Sequence, residues 1–261
     1  MTRVPSSDGT EIAFTRGGKG PALVIVSGAL SQRSLIGDTL LVPRLAEHFT
    51  VYTYDRRGRG ESGDTKPYAV DREIEDLEAL IDHAGGKAHL FGVSSGAALS
   101  LQAAAKLGAA KVSKLALYDA PYGQPQRVFT EQKDRVNELV RTGQPGDAAA
   151  YFLTAIGTPP KVLEGMKSSP AWDTMKKIDH TLVYDYDVLG DGQVPEGVAK
   201  AITVPTLVMN GEKSMDFMHA AAARMASLIP NARHTTIKGQ AHGVTADATV
   251  PVLVEFFGSA H

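Results

Sequence analysis

The sequence predicts an α/β fold in which helices cover both faces of a mostly parallel sheet, with a helical lid inserted into the domain. In the first half of the chain, short β-branched runs alternate with amphipathic stretches, and glycine, proline or aspartate marks each break. From about residue 122 to residue 201 the pattern becomes helical, and the strand pattern then resumes. We therefore expect residues 1–121 and 202–261 to form one core domain and residues 122–201 to form the lid.

The predicted elements follow in chain order. "EIAFTR" after the "SDG" turn indicates a hairpin, "ALVIVSG" is an apolar run typical of a strand buried on both faces, and "TVYTYDRRGRG" predicts a strand ending in a tight glycine turn. A helix near Asp71 to His83, the strand "AHLFG", a helix beginning near Ser94 and the strand "KLALYDAP" complete a β-α-β-α order. After the lid come the strand "VPTLVMNG", a helix from about Phe217 to Ile229 and the strand "ARHTTIKG". Thr249 could cap a last helix that begins at Pro251.

The composition favours a soluble intracellular protein that acts on small molecules. The 261 residues are 43% hydrophobic, contain no cysteine and carry a formal net charge of -2. This balance argues against nucleic acid or a membrane surface as the main partner, and the missing cysteines exclude disulfides, thiolate metal sites and a cysteine nucleophile. The chain has no apolar run of signal-peptide or membrane-helix length. We expect a cytoplasmic protein with a small-molecule substrate and with no metal or cofactor, and the sequence does not indicate its oligomeric state.

The stretch "LFGVSSGAAL" predicts a reactive serine. Its segment "GVSSG" fits the G-x-S-x-G pattern between a strand and a helix. A serine on such a sharp turn needs almost no side chain two positions before and after it, which Gly92 and Gly96 satisfy. If Ser95 were the nucleophile, Val93 would crowd the turn. The frame therefore selects Ser94, and the backbone N–H of Ser95 is predicted to form half of an oxyanion hole.

Several further segments resemble the α/β-hydrolase family, and the resemblance covers essentially the whole chain. "VIVSGAL" resembles the strand followed by His-Gly-x, with Ser27 where histidine is common. "YDRRGRGES" is similar to the D-x-R-G-x-G-x-S turn, and "GQAHG" resembles the segment that delivers the catalytic histidine. The resemblance implies that the backbone N–H of Ala29 is the second oxyanion donor and that His242 is the catalytic base.

The carboxylate that orients the histidine is not at the family's usual place. There the family has a G-x-x-D pattern, whereas this chain has Ser214 at the last position. Asp119 ends the strand before the lid, where a minority of the family carry their acid, and it leaves the sheet on the side where catalytic groups gather. We prefer Asp119, while Asp216, Glu212 or no acid at all stay open.

The sequence thus predicts a cofactor-free serine hydrolase that cleaves a small ester, thioester or lactone through an acyl-enzyme on Ser94. Two other classes stay open, namely a lyase or cyclase on the same fold and a ligand-binding protein with vestigial catalysis. Arg56, Arg57 and Arg59 either bind an anionic substrate or shape their turn and lie on a solvated face. Large side chains of the lid are candidates for lining the substrate pocket: Phe129, Tyr151, Phe152, Trp172, Met175 and Tyr184.

Overall fold

The computed structural model describes residues 2–34 and 41–259 of the chain. The strands of this part are β1 (Thr2–Pro5), β2 (Glu11–Gly17), β3 (Ala22–Val26), β4 (Thr50–Tyr54), β5 (Ala88–Val93), β6 (Val112–Tyr118), β7 (Thr206–Gly211) and β8 (Ala232–Ile237). They form one eight-stranded sheet in the order β1-β2-β4-β3-β5-β6-β7-β8. β1 and β2 form the predicted antiparallel hairpin, β2 is antiparallel to β4, and the remaining pairs are parallel.

Helices cover both faces of this sheet, which confirms the predicted fold class. The helices of the described residues are α1 (Leu41–Leu45), α2 (Val70–His83), α3 (Ser95–Lys111), α4 (Gln126–Thr142), α5 (Asp147–Ala155), α6 (Pro160–Lys167), α7 (Pro170–Ile178), α8 (Leu182–Leu189), α9 (Glu196–Lys200), α10 (Asp216–Leu228) and α11 (Ala246–Gly258). On one face α2, α3 and α10 pack in the same apolar cluster as Leu90. On the other face α1 and α11 pack with Phe91. Adjacent residues of β5 thus point to opposite buried faces, as the two-residue period of a strand requires.

The segment between β6 and β7 consists mainly of helices, from α4 to α9, with a 3-10 turn at Asp179–Thr181. It has an apolar cluster of its own, which includes Phe129, Val136 and Tyr186. Leu30, from the loop after β3, joins this cluster and connects the segment to the sheet. The helical character that the sequence predicts for residues 122–201 is therefore present, and its role as a lid stays a prediction.

The last helix begins earlier than the sequence predicts. α11 starts at Ala246, directly after Thr245, and Pro251 lies inside it rather than at its start. Thr249 and Val250 are buried, so the first turn packs against the sheet. Proline has no N–H, so Pro251 leaves the carbonyl oxygen of residue 247 without its helical hydrogen bond. Residue 247 is exposed. The packing of the first turn outweighs this lost hydrogen bond.

Candidate active site

Ser94 lies on a strained turn between β5 and α3. Its backbone angles are φ 57° and ψ -128°, a conformation that only a tightly packed environment stabilises for a residue with a side chain. A Cβ atom on Gly92 would lie 2.5 Å from the carbonyl oxygen of Gly96, and one on Gly96 would lie 2.2 Å from that of Val26. The two glycines are therefore needed on either side of Ser94, as the sequence argument requires.

His242 lies in the loop after β8, and two contacts hold this loop over the serine. The hydroxyl of Tyr118 donates to the carbonyl oxygen of Ala241 at 2.6 Å, and the N–H of Lys213 donates to that of Gln240 at 2.7 Å. The Nε2 atom of His242 lies 3.1 Å from the Oγ atom of Ser94. This distance is within hydrogen-bond reach, so the imidazole is placed to accept the hydroxyl proton.

Asp119 is the carboxylate beside His242. Its Oδ2 atom lies 3.3 Å from the Nδ1 atom of His242, on the side of the ring opposite Ser94. Asp119 directly follows β6, is buried and has a positive φ of 47°. The alternatives that the sequence left open are not in this position: Asp216 is exposed at the start of α10, and Glu212 is exposed and accepts from the N–H of Gly239.

Ser214 occupies the family's usual acid position and contacts Asp119. Its hydroxyl donates to the Oδ2 atom of Asp119 at 2.5 Å, and the N–H of Gly211 donates to the Oδ1 atom at 3.3 Å. Hydrogen bonds to a carboxylate fix its orientation. The sequence showed only that an aspartate was missing here, and it gave no sign that Ser214 contacts the carboxylate of another strand.

The backbone around Ser94 offers two donors for an oxyanion. Ser95 is the first residue of α3, where an N–H has no partner within the helix. Ala29 lies in the loop after β3, and this loop comes so close to Ser94 that a Cβ atom on Gly28 would lie 2.8 Å from that of the serine. Within residues 2–34 and 41–259, neither the Ser95 nor the Ala29 amide donates to a backbone carbonyl. Ser27, at the position where the family has histidine, is buried, and its hydroxyl has no hydrogen-bond partner in the same ranges.

The three arginines of the turn after β4 are buried, so they do not lie on a solvated face. Arg57 forms ion pairs with Asp8 and Asp76, both at 2.7 Å. Arg56 binds both carboxylate oxygens of Glu73, each at 2.7 Å, through its Nε and Nη2 atoms. These acids come from other parts of the chain. They pair with arginines for which the sequence left an anionic substrate open as one possible partner.

Asp185 of α8 is a buried acid that binds both Arg56 and Arg59, and the sequence did not predict it. Its carboxylate accepts from Nη1 of Arg56 at 2.7 Å, from Nη2 of Arg59 at 2.9 and 2.8 Å, and from the hydroxyl of Ser95 at 2.7 Å. Burial alone would raise the pKa of Asp185, but the guanidinium groups of Arg59 and Arg56 hold it below the usual value. No motif surrounds Asp185, so no signal in the sequence could have identified it.

Two cavities meet at Ser94. The smaller, about 350 Å³, extends towards Leu41 and Val244, and the larger, about 450 Å³, extends between α4 and the start of α10. Residues common to both walls are Ala29, Ser94, Phe152, Ile156 and His242. The remaining lining is mostly apolar, and the hydroxyl-bearing Ser27 belongs to the smaller cavity.

Of the residues predicted to line a substrate pocket, the structure places Phe129 and Phe152 in these walls. Tyr151 and Trp172 instead pack in the apolar cluster of the helical segment, as does Met175. Tyr184 is buried elsewhere, since its ring stacks on Tyr68 with centroids 3.8 Å apart and its hydroxyl donates to Asp64 at 3.0 Å. Successive residues of a helix point about 100° apart, so a residue and its neighbour face different surroundings. Phe152 therefore faces the cavity and Tyr151 does not, and on α8 Asp185 and Tyr186 face it and Tyr184 does not.

The fold and the comparison with known families define the class of this protein as a hydrolase of α/β type. A model described as the alpha/beta hydrolase family matches residues 23–253. The chain therefore belongs to the alpha/beta hydrolase family. The resemblance drawn from the sequence motifs is thereby confirmed.

Individual relatives support this assignment. An alpha/beta hydrolase from Sphaerobacter thermophilus is 49% identical in sequence to this chain. Its crystal structure matches this one with a TM-score of 0.89, over 98% of this chain and 100% of that one. A 2-(acetamidomethylene)succinate hydrolase from Mesorhizobium japonicum is 26% identical over 92% of this chain and 88% of its own length. An N-formylmaleamate deformylase from Pseudomonas putida is 36% identical over 47% of this chain, and the match spans less than half of that relative, 46%.

Two features of the structure bear on membranes and on metals. No helix in the described part of the chain is long and apolar enough to cross a membrane. In that same part, no group of three or more His, Cys, Asp or Glu side chains is arranged to hold a metal ion.

Proposed function

We propose that this protein is a serine hydrolase that cleaves a small ester, thioester or lactone through an acyl-enzyme on Ser94. The observation that carries the proposal is the chain of contacts from the Oγ atom of Ser94 to Nε2 of His242, at 3.1 Å, and from Nδ1 of His242 to Oδ2 of Asp119, at 3.3 Å. Nucleophile, base and orienting acid thus stand in the order that nucleophilic catalysis by serine requires.

The first half of the proposed reaction acylates the serine. Asp119 accepts a hydrogen bond from Nδ1–H of His242, which keeps the imidazole proton on Nδ1 and leaves Nε2 free to take the proton of Ser94 as its oxygen attacks the substrate carbonyl. The amides of Ala29 and Ser95 donate to the oxyanion that forms on the carbonyl oxygen. His242 then gives the proton to the leaving alcohol, thiol or ring oxygen, and the acyl group remains on Ser94.

The second half returns the serine to its starting state. A water molecule gives its proton to Nε2 of His242 and attacks the acyl carbon, and the same two amides stabilise the second oxyanion. Collapse of this intermediate breaks the bond to Ser94, whose oxygen takes the proton back from His242. The product acid leaves, and no electron donor or acceptor enters the cycle.

The two cavities support a substrate with two modest limbs. An ester has an acyl and an alcohol side, and cavities of about 350 and 450 Å³ that share Ser94 offer one space for each. Phe129 and Phe152 bring the helical segment into the walls, so we propose that this segment acts as a lid that selects the substrate. Two of the relatives, an N-formylmaleamate deformylase and a 2-(acetamidomethylene)succinate hydrolase, support hydrolysis as the reaction class.

Turnover of short 4-nitrophenyl esters, together with labelling by a fluorophosphonate, tests this proposal. We expect one label per chain on Ser94, and Ser94→Ala should lose both labelling and turnover at an unchanged melting temperature. Ser227→Ala, which makes the same change on the exposed side of α10, is the matched control and should behave as the unmodified protein. Absence of labelling and of turnover with esters, thioesters and lactones would favour the vestigial or lyase alternatives.

A further inference from the structure

The carboxylate of Asp185 is held by a complete set of anion-binding donors. Arg59 donates to both of its oxygens through Nη2, Arg56 donates to Oδ1, and the hydroxyl of Ser95 donates to Oδ1 as well. Both guanidinium groups are fully buried, with 0% and 1% of their surface exposed. Charge-assisted donors that converge in a buried place form a carboxylate-binding site, and here a residue of the chain itself fills that site.

This filled site lies in the wall of the larger cavity. Asp185 and Ser95 line that cavity together with Ser94, whereas Arg56 and Arg59 do not. Among the described residues that line either cavity there is no lysine or arginine, and the ionisable ones are Asp185, Tyr186 and His242. The charges of Arg56 and Arg59 are balanced by Asp185 and by Glu73, so no positive charge remains for a ligand.

We propose that Asp185 is a specificity-determining residue, which occupies the protein's own carboxylate-binding site and thereby excludes substrates that carry a carboxylate on the limb entering the larger cavity. The inference rests on the proposed esterase function. A substrate carboxylate in this cavity would lose its hydration, find no unpaired cation and face the negative charge of Asp185. The preferred substrate is therefore an uncharged ester.

The unmodified protein gives the first test through a matched pair of esters. 4-Nitrophenyl pentanoate and 4-nitrophenyl hydrogen succinate have acyl groups of similar length, and only the second carries a carboxylate. We expect kcat/KM for the pentanoate ester to exceed that for the succinate ester by at least about 100-fold. Equal values for the two esters would overturn the inference and leave the proposed esterase function standing.

Two variants separate the charge of Asp185 from the space it fills. Asp185→Ala removes the carboxylate and opens the site, whereas Asp185→Asn removes the charge and keeps the volume. We expect formate, which has the size of the missing carboxylate, to raise the melting temperature of Asp185→Ala relative to chloride at equal ionic strength. The same exchange should leave Asp185→Asn and the unmodified protein unchanged.

The same variants are then assayed with the two esters. We expect Asp185→Ala to shift the ratio of the two kcat/KM values by at least about tenfold towards the succinate ester, and Asp185→Asn to shift it less. An Asp185→Ala protein that formate does not stabilise, or that fails to fold even with formate present, would overturn the inference. If the unmodified protein hydrolyses neither ester, the esterase function has failed, and the formate measurement still decides whether Asp185 fills a carboxylate-binding site.

Discussion

Replacing Asp119 with asparagine is expected to lower ester turnover by about four orders of magnitude. The Oδ2 atom of Asp119 accepts from Nδ1 of His242 at 3.3 Å and from the hydroxyl of Ser214 at 2.5 Å. An amide nitrogen in that place donates instead of accepting, so the proton of the imidazole moves to Nε2, which can then no longer take the proton of Ser94. Four orders of magnitude correspond to about 5.5 kcal/mol on the activation barrier.

The same substitution should leave the protein folded. Asparagine has nearly the volume of aspartate and tolerates the positive φ of 47° at this position. Its carbonyl oxygen can still accept from the N–H of Gly211 or from the hydroxyl of Ser214. The lost charge-assisted hydrogen bond is expected to lower the free energy of unfolding by about 1–3 kcal/mol, less than the stability of a typical domain.

The assay compares kcat/KM for a short 4-nitrophenyl ester and the melting temperature of each variant. Asp216→Asn is the matched control, because Asp216 is exposed and is the alternative acid from the sequence. It should retain full turnover. Retained turnover in Asp119→Asn together with its loss in Asp216→Asn would refute the assignment. If neither substitution lowers turnover, His242 works without a carboxylate.

A double substitution provides a stricter version of the same test. In the Asp119→Asn background, Ser214→Asp places a carboxylate at the position where the family usually has its acid. Because Ser214 already contacts Asp119 at 2.5 Å, the new carboxylate would stand beside His242. We expect it to restore part of the lost turnover. No recovery in a folded double variant would show that Ser214 cannot direct a carboxylate to His242.

Three further predictions concern the surroundings of Ser94. Ser95→Ala should keep most turnover, since Ser95 is proposed to act through its backbone N–H. It should lower the free energy of unfolding by about 1–3 kcal/mol, because buried Asp185 loses a hydrogen-bond donor. Turnover as low as in Ser94→Ala would contradict the assignment of Ser94 as the nucleophile. Gly28→Ala should lower kcat at least tenfold, because the new Cβ would lie 2.8 Å from that of Ser94; unchanged kinetics would show that the loop moves without consequence. The pKa of Asp185 is lowered by folding, so its stabilisation is fully present above the pKa of an unfolded aspartate, about 3.9, and is lost as the pH falls through the lower folded value. The melting temperature of the unmodified protein should therefore exceed that of Asp185→Asn by less and less as the pH falls below that value. A melting-temperature difference that stays constant with pH would contradict this prediction.

Much of the candidate site follows from local rules that the sequence displays. The apolar run before Gly28 had to be a strand buried on both faces, and the glycines around Ser94 are required by contacts as short as 2.2 Å. The position of Asp119 follows from the common edge at which parallel strands end. These inferences need only the period of a strand, the space around a turn and the order of the elements.

Other parts of the site depend on contacts between distant residues. Asp185 comes 126 residues after Arg59 in the sequence, and nothing near it signals that it forms ion pairs with two buried arginines. The substrate-pocket prediction selected Tyr184, its neighbour, because aromatic residues are frequent in pockets. Which side of α8 faces the cavity is set by how the helix packs, and one residue of rotation, about 100°, separates a correct choice from a wrong one.

The pairing of β6 with β7 explains how the proposed acid can follow β6, instead of β7 where the family usually has it, and still reach the histidine. Tyr118 of β6 lies opposite Met209 of β7, and the N–H of Asp119 donates to the carbonyl oxygen of Met209 at 3.0 Å. The two strands thus end side by side, and the loop that follows β7 brings Ser214 to the carboxylate that follows β6. A carboxylate from either strand end can therefore reach the same imidazole. On this argument the serine at the usual acid position does not leave His242 unsupported, because its hydroxyl orients the carboxylate that the neighbouring strand supplies.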